Sequence, residues 1–147
     1  MTILRSIAGA ALMLAAANGH AFDFKTVGNA PAILYDAPST KGGKLFVAPR
    51  GMPLEVVLSY GEWVKVRDVS GDLAWTEAKV LSTKRNVVVR SANLKVRATA
   101  DDAAVPVFIA DKGVLLEVAE PVASGWVKVR HKDGQIGYVK NADVWGI

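Results

Sequence analysis

Valines alternate with polar residues along two short segments of the chain. In Trp63-Val64-Lys65-Val66-Arg67 the valines occupy every second position, and residues 126–130 repeat the same five residues. Successive side chains of a β-strand point to opposite faces. The alternation therefore predicts two strands that bury their valines on one face and present Trp, Lys and Arg on the other.

The two strands belong to an internal repeat that covers most of the chain. The aligned segments lie 62 or 63 residues apart: 46–51 with 108–113, 54–56 with 116–118, and 63–67 with 126–130. The change of offset places one inserted residue in the turn before Trp126. A repeat of this length predicts two similar structural units. We place module one at residues 22–85 and module two at residues 86–147.

Each module combines short β-rich runs with turn sequences. The segment 59–62 predicts a hairpin turn, and Asp133-Gly134 is a dipeptide favoured in tight hairpins. Pro38 and the residues that follow it indicate a longer loop in module one. Five or six short strands and one long early loop in about 60 residues predict a small β-barrel. The sequence therefore predicts an all-β fold with two small barrels in tandem.

The first 21 residues have the pattern of a secretory signal peptide. Arg5 supplies the positive charge, residues 7–17 are apolar or small, and Gly19 and Ala21 occupy the −3 and −1 positions of a cleavage site. The alternative is a membrane anchor, but the apolar run is about half of the roughly 20 residues that a spanning helix needs. We therefore expect cleavage after Ala21 and a periplasmic or secreted protein without stable membrane insertion.

Charge and cysteine content narrow the class of partner. Loss of Arg5 on cleavage would lower the net charge from +4 to +3. Such a mild basic excess suits anionic cell-wall polymers or lipid head groups. The Lys and Arg residues form no cluster of the kind found in nucleic-acid-binding modules, so we expect no nucleic-acid partner. The chain has no cysteine, so its modules must be stabilised by packing without disulfides.

The order of these motifs resembles the bacterial SH3-like domain family. The pattern G-x-W-x-K-V-R is approximated twice, Leu81–Arg85 is similar to the end of a first module, and the chain closes on Trp145-Gly146-Ile147. The resemblance implies two tandem SH3-like barrels and a role in binding. Two departures concern the ligand region. Residues 34–38 replace the usual Asn-Leu/Val-Arg-x-x-Pro segment, and Ala74 stands where the family has glycine.

Aromatic residues are the candidate ligand contacts. A partly exposed Trp beside a cation can bind a ligand by stacking and through its indole N–H. In SH3-like barrels, aromatic residues of the long loop and after the second turn line a peptide groove. The alternative is that Trp and the cation stems only cover the barrel surface or the seam between modules. The candidate residues are Tyr35, Trp63 and Trp75 in module one and Arg97, Trp126 and Tyr138 in module two.

The residue inventory argues against catalysis. After cleavage the chain would keep one histidine, His131, and no cysteine, which excludes a Cys-His peptidase. His131 aligns with Asp68 just before a turn, which favours a solvated turn residue over a catalytic triad member. A zinc site lacks ligands, and Asp101-Asp102 are adjacent on a loop, unlike paired catalytic carboxylates. We therefore expect neither enzymatic activity nor a cofactor nor a metal.

Two functions agree with these observations. The first is an exported, non-enzymatic binding module of the cell envelope that recognises peptidoglycan stem peptide or an envelope protein. The second is a structural or assembly protein in which the two barrels form one rigid unit for protein interaction. The β-branched run Asn86–Arg90 supports the second, because a strand in so short a linker could be shared between modules.

Overall fold

The structure is a computed structural model that describes residues 23–147. The predicted signal peptide, residues 1–21, lies outside the described residues. No helix within the described range has both the length and the apolar character needed to cross a membrane. Two single-turn 3₁₀ helices, Ala78–Val80 and Asn141–Asp143, are the helical elements of this part of the chain, and all other regular structure is β-strand.

Module one forms a seven-stranded antiparallel sheet. Its strands are β1 (Phe24–Val27), β2 (Ala32–Tyr35), β3 (Lys44–Ala48), β4 (Pro53–Tyr60), β5 (Trp63–Arg67), β6 (Leu73–Glu77) and β7 (Leu81–Ser82). They are hydrogen-bonded in the order β3-β2-β6-β5-β4-β1-β7.

Module two repeats this sheet strand for strand. Its strands are β8 (Asn86–Val89), β9 (Leu94–Arg97), β10 (Pro106–Ala110), β11 (Leu115–Ala123), β12 (Trp126–Arg130), β13 (Ile136–Lys140) and β14 (Val144–Trp145). The order β10-β9-β13-β12-β11-β8-β14 matches that of module one. The all-β fold and the tandem arrangement are therefore as predicted.

The prediction that each sheet closes into a barrel is wrong. In the described residues the ladder of each sheet ends at two edge strands, β3 and β7 in module one and β10 and β14 in module two. The strand number was also underestimated, because β7 and β14 contain only two residues each. These short strands extend the sheet beside β1 and β8 without reaching the opposite edge.

The valine alternation builds the core of each module as predicted. Val64 and Val66 are 6% and 0% exposed, and their counterparts Val127 and Val129 are both 0% exposed. Burial of a valine or leucine side chain contributes about 1.5–3 kcal/mol, so these positions hold the inner face. The other core residues come from the remaining strands of the same module: Val27, Ala32, Leu34, Ala48, Leu54 and Ala74 in the first, and Val87, Val89, Leu94, Val96, Ala110, Leu116, Val139 and Val144 in the second.

The inserted residue of module two lies within a strand and not in the turn. Both hairpins have a two-residue loop, since Tyr60 pairs with Trp63 and Ala123 pairs with Trp126. The β4–β5 ladder has one register shift, whereas the β11–β12 ladder has two, and the second falls between Glu120 and Ala123. An extra residue on one strand is what a β-bulge accommodates. The insertion therefore leaves the turn length unchanged.

The two modules are joined by a packed seam. The rings of Phe24 in β1 and Trp145 in β14 meet edge to face with centroids 4.9 Å apart. Asn86 Nδ2 donates a hydrogen bond of 2.9 Å to the carbonyl oxygen of Gly51. A Cβ at Gly146 would lie 2.6 Å from the Asn86 carbonyl oxygen, so only glycine fits there. The ring contact joins the first and last strands of the described chain, and the hydrogen bond joins β8 to the turn before β4. Across the seam, a Cβ at Gly146 would also lie 3.1 Å from Pro53 Cβ.

The β-branched run after the linker belongs to module two. All four residues of β8 are buried, and the strand pairs with β11 and β14 of its own sheet. The suggestion that it is shared between the sheets is wrong. Val87 and Val89 point into the module-two core, which leaves Asn86 and Val88 for the opposite face, toward the seam. The strand is buried on both faces because the modules pack against each other.

Candidate ligand-binding surfaces

The candidate aromatic residues lie on the outer face of each sheet. Trp63 and Trp126 are half-buried, while the valines that follow them are in the core. Residues directly opposite each other in an antiparallel pair share a face. Lys65 pairs with Trp75, and Trp75 pairs with Tyr35. The alternation along β5 therefore brings the module-one candidates together on one surface.

In module one these residues form a packed aromatic layer, here called the module-one face and defined by Tyr35, Tyr60, Trp63, Lys65 and Trp75. Tyr35 and Trp63 meet edge to face with ring centroids 5.5 Å apart. Tyr60 lies 6.4 Å from Trp75, and Lys65 Nζ lies 6.0 Å from the Trp75 ring centroid. Tyr35 is only 6% exposed. It packs against Trp63 and offers little surface to a ligand.

Tyr60 belongs to this face but is absent from the residues selected by sequence. It is 66% exposed and lies opposite Trp63 at the end of β4. Sequence reasoning placed it in the hairpin turn, whereas the loop consists of Gly61 and Glu62 alone. A two-residue loop with glycine at its first position is a common hairpin connection. Gly61 could therefore have been recognised as the first residue of a two-residue loop, which would have assigned Tyr60 to the strand.

In module two the corresponding surface contains a cavity. Arg97 replaces Tyr35 at the same strand position, pairing with Tyr138. The cavity has a volume of about 270 Å³ and includes Arg97 and Trp126 in its wall. The remaining lining residues are Ser91, Ala92, Asn93, Leu94, Lys95, Asp102, Lys140 and Asp143. The structure thus brings two of the three module-two candidates to one site.

Cations cover the aromatic rings of module two. Lys140 Nζ lies 5.8 Å from the Trp126 ring centroid, and Lys128 Nζ lies 5.9 Å from that of Tyr138. Both distances are within the range of a cation–π interaction. Lys140 also forms an ion pair of 2.7 Å with Asp102. Tyr138 lies beside Arg97 in the sheet but is not among the residues that line the cavity.

Arg97 also organises the loop that borders the cavity. Its Nη1 donates a hydrogen bond of 2.8 Å to the Ala104 carbonyl oxygen. In module one the equivalent loop is fixed differently, because the Asp36 carboxylate accepts a 2.7 Å hydrogen bond from the Gly43 amide. Replacement of tyrosine by arginine therefore exchanges a ring contact with tryptophan for a contact with the loop backbone.

These surfaces lie on a repeat whose family can be named from its sequence. The model of the bacterial SH3 domain matches the chain twice, over residues 28–83 and 88–146. The chain belongs to the bacterial SH3 domain family. The resemblance found in the motifs is thus confirmed, and both candidate surfaces fall within the matched ranges of the two SH3 domains.

Solved structures similar to this tandem SH3 chain include NlpC2 and NlpC1 from Trichomonas vaginalis. Sequence identity is 8% and 7%, and the TM-score is 0.40 for each. The alignments cover 86% and 88% of this chain, but only 49% and 48% of the two solved chains. The SH3 chain therefore spans about half the length of these structures. No curated protein matches it.

The single histidine of the two SH3 domains is part of a tight turn. The backbone N–H of His131 bonds to the Gln135 carbonyl oxygen at 2.8 Å, and the Asp68 and Asp72 backbones make the same contact in module one. His131 Nδ1 lies 3.0 Å from Asp133 Oδ1. The pKa of Asp133 is lowered by a hydrogen bond from the Gln135 amide and by its contact with His131. Residues 23–147 hold no group of three or more metal-ligating side chains.

Proposed function

We propose that this chain is an exported, non-enzymatic binding protein of the cell envelope, and that its principal ligand is the peptidoglycan stem peptide. The observation that carries the proposal is the module-two cavity, where Trp126 lies beside Arg97 and Lys140. An aromatic wall with two guanidinium or ammonium groups suits a small aliphatic residue that bears a free carboxylate.

The charges of the cavity match the chemistry of a stem peptide. Such a peptide carries several carboxylates, a free amine and small alanine side chains. Lys95 adds a third cation to the cavity. Asp102 Oδ1 is paired with Lys140 and Asp143 Oδ1 accepts a hydrogen bond from Ser91, so the second oxygen of each carboxylate is the acceptor for an amine. The cavity volume of about 270 Å³ is below the roughly 300–1,000 Å³ of pockets for drug-sized ligands. It therefore suits one end of a peptide and not its full length.

Module one supplies a second contact surface in this proposal. Its exposed Tyr60 and half-buried Trp63 and Trp75 offer flat apolar area without the cationic cavity. Two linked weak sites raise the overall affinity for a polymer that presents many copies of one ligand. A cell-wall polymer has this repeating character, so the tandem arrangement favours it over a soluble monovalent ligand.

The export and the lack of catalysis are also part of the proposal. Export is inferred from the signal-peptide pattern of residues 1–21, and the periplasmic or secreted location follows from it. The absence of catalysis is inferred from the sequence, in which the mature chain would have no cysteine and a single histidine, His131. No cofactor enters the proposed binding reaction.

Co-sedimentation with purified sacculi at low salt tests the binding function. We expect the protein to sediment with sacculi, and Trp126→Ala and Arg97→Gln each to weaken retention about tenfold, as loss of a central aromatic or arginine contact does. Lys112→Gln removes an exposed cation outside the cavity and serves as the matched control. Circular dichroism verifies that each variant is folded. Failure of the folded wild type to sediment would refute the proposal.

A second candidate function, that of an assembly protein, is favoured by the seam between modules. The Phe24–Trp145 ring contact and the Asn86–Gly51 hydrogen bond would hold the two SH3 domains in one orientation. A rigid pair presents one continuous surface to an envelope protein. NMR relaxation tests this candidate, because a single rotational correlation time is expected for a rigid unit and two independent ones would contradict it.

A further inference from the structure

A cleft lies between the two modules, away from the aromatic surfaces. Its volume is about 830 Å³, within the roughly 300–1,000 Å³ typical of small-molecule sites. Module one contributes Val27, Arg50 and Lys84, and module two contributes Leu115 and Lys132. Neither module alone would form this cleft.

The cleft combines an apolar side chain with a cationic opening. Leu115 is half-buried and supplies the apolar contact, whereas Val27 and Leu116, only 2% and 1% exposed, belong to the two cores behind the wall. Arg50 and Lys132 are exposed at its margin. Five basic side chains line the cleft, against a single carboxylate: Arg50, Lys84, Arg130, His131 and Lys132.

The one carboxylate of the cleft is already neutralised. Glu117 forms ion pairs of 2.9 Å with both Lys84 Nζ and Arg130 Nη1. The hydrogen bond from Lys84 is the main cause of the lowered pKa of Glu117, and Arg130 adds to it. Arg50 and Lys132 form no ion pair within residues 23–147. The cleft therefore keeps two cations that no ion pair of the described residues neutralises.

We propose that this cleft binds a short acidic peptide segment that carries at least one aliphatic side chain. The carboxylates of the segment would pair with Arg50 and Lys132, and its aliphatic group would pack on Leu115. Apolar lining favours such a peptide over inorganic phosphate or a uniformly charged polymer, neither of which gains from contact with leucine. The site goes beyond the proposed recognition of stem peptide, which uses the module-two cavity.

Calorimetric titration of the full chain with the peptide acetyl-Leu-Asp-Glu-Leu tests this assignment. We expect binding to the wild type and about tenfold weaker binding to the double variant Arg50→Gln/Lys132→Gln, because truncated charge pairs lose affinity of this order. Lys41→Gln/Lys44→Gln is the matched control, since both lysines are exposed and neither lines the cleft. All four lysine and arginine side chains are exposed, so their replacement leaves the core intact.

Further comparisons distinguish the cleft from simple charge attraction. Acetyl-Gly-Asp-Glu-Gly should bind about fivefold more weakly than the leucine peptide, because it loses the apolar contact. Amide chemical shifts should change in residues 114–117 and not around Trp126. Absence of peptide binding, equal loss in the control variant, equal affinity for the glycine peptide, or full competition by inorganic phosphate would each overturn the assignment.

The same variants separate this proposal from the proposed function. Trp126→Ala should retain peptide binding in the cleft while losing sacculi, and Arg50→Gln/Lys132→Gln should retain sacculi while losing the peptide. Failure of sacculus binding alone therefore leaves the cleft standing. Loss of both activities in the cleft variant would overturn the cleft as an independent site.

Discussion

Trp63 and Trp126 occupy the same strand position in the two modules, yet their neighbours carry opposite charge. Trp63 pairs with Glu77 across the sheet, and Trp126 pairs with Lys140. The residue that approaches from β2 or β9 is Tyr35 in one module and Arg97 in the other. One tryptophan thus lies in an aromatic and acidic setting, and the other in a cationic one.

This difference shows that the two faces of each sheet have separate roles, the inner face in stability and the outer face in surface chemistry. The inner valines of β5 and β12 are the same in both modules, and none is more than 6% exposed. Because stability comes from burial on the inner face, the outer face is free to change its chemistry. Two copies of one module can therefore keep a common fold while binding different ligands.

The largest effect is expected from exchanging the residues that approach the tryptophans. Tyr35→Arg should lower the free energy of unfolding by about 2–4 kcal/mol, because a buried ring is lost and a charge enters a site that is only 6% exposed. Arg97→Tyr, the reverse exchange in module two, should change it by less than about 1 kcal/mol, because Arg97 is half-buried beside a cavity. Urea denaturation measures both. Equal losses of unfolding free energy in the two variants would contradict the difference in burial between Tyr35 and Arg97.

A second comparison concerns the glycine that module one lacks. A Cβ at Gly137 would lie 2.7 Å from Val96 Cγ1 and 2.8 Å from the Arg97 carbonyl oxygen. Gly137→Ala should therefore destabilise the protein by about 1–3 kcal/mol, as overpacking does. Ala74→Gly, at the equivalent position, should cost about 1 kcal/mol through chain entropy and lost burial. Thermal unfolding of both variants is the measurement, and a neutral Gly137→Ala would indicate that β9 can move away.

The charge difference itself can be reversed. Lys140→Glu should weaken binding of an acidic stem peptide about tenfold, since it removes the cation over Trp126 and places a like charge beside Asp102. Glu77→Lys should strengthen binding of the same acidic peptide to module one about threefold, again through charge complementarity. Tryptophan fluorescence titration follows both. An unchanged affinity in Lys140→Glu would remove Lys140 from the proposed site.

The smallest effect is expected in acid. Two cations hold the pKa of Glu117 below its ordinary value of 4.5, whereas Glu55 in module one forms an ion pair with Arg67. A lowered native pKa contributes stability above the unfolded pKa, and this contribution is lost as the pH falls through the native value. Glu117→Gln should remove less than about 1 kcal/mol at pH 7, since the group is partly exposed, and nothing at pH 2. Glu55→Gln is the control, and a loss in Glu117→Gln that is the same at both pH values would contradict the ion-pair origin.

The sequence was sufficient for the inner face and the repeat. Alternation in residues 63–67 identified Val64 and Val66 as core, and the repeat carried the assignment to module two. The same alternation placed Trp63 on the outer face. These features depend on local pattern alone, which is why they could be predicted without knowledge of the sheet order. Tyr35 and Trp75 were grouped with Trp63 through the resemblance to SH3-like barrels, and not through the alternation.

Features that depend on register or on distant contacts could not be predicted. Tyr60 was assigned to the turn because the sequence did not show that the loop has only two residues. The inserted residue of module two was also assigned to the turn, because a β-bulge has no characteristic residue type that would reveal it in the sequence. Barrel closure was predicted from the number of strands. Closure requires hydrogen bonds between the two edge strands, which are far apart in the chain, and no local sequence pattern reveals whether they form. The cavity beside Arg97 depends on where its guanidinium finds a partner, here the Ala104 carbonyl oxygen.

The contact between Phe24 and Trp145 has a consequence for the way the two modules unfold. The short strand β14 pairs with β8 inside the sheet of module two, and it also presents Trp145 to Phe24 of β1. Detachment of β14 would therefore disturb the sheet of module two and the contact with module one in the same event. We expect the two modules to melt in one cooperative transition, although each has its own hydrophobic core.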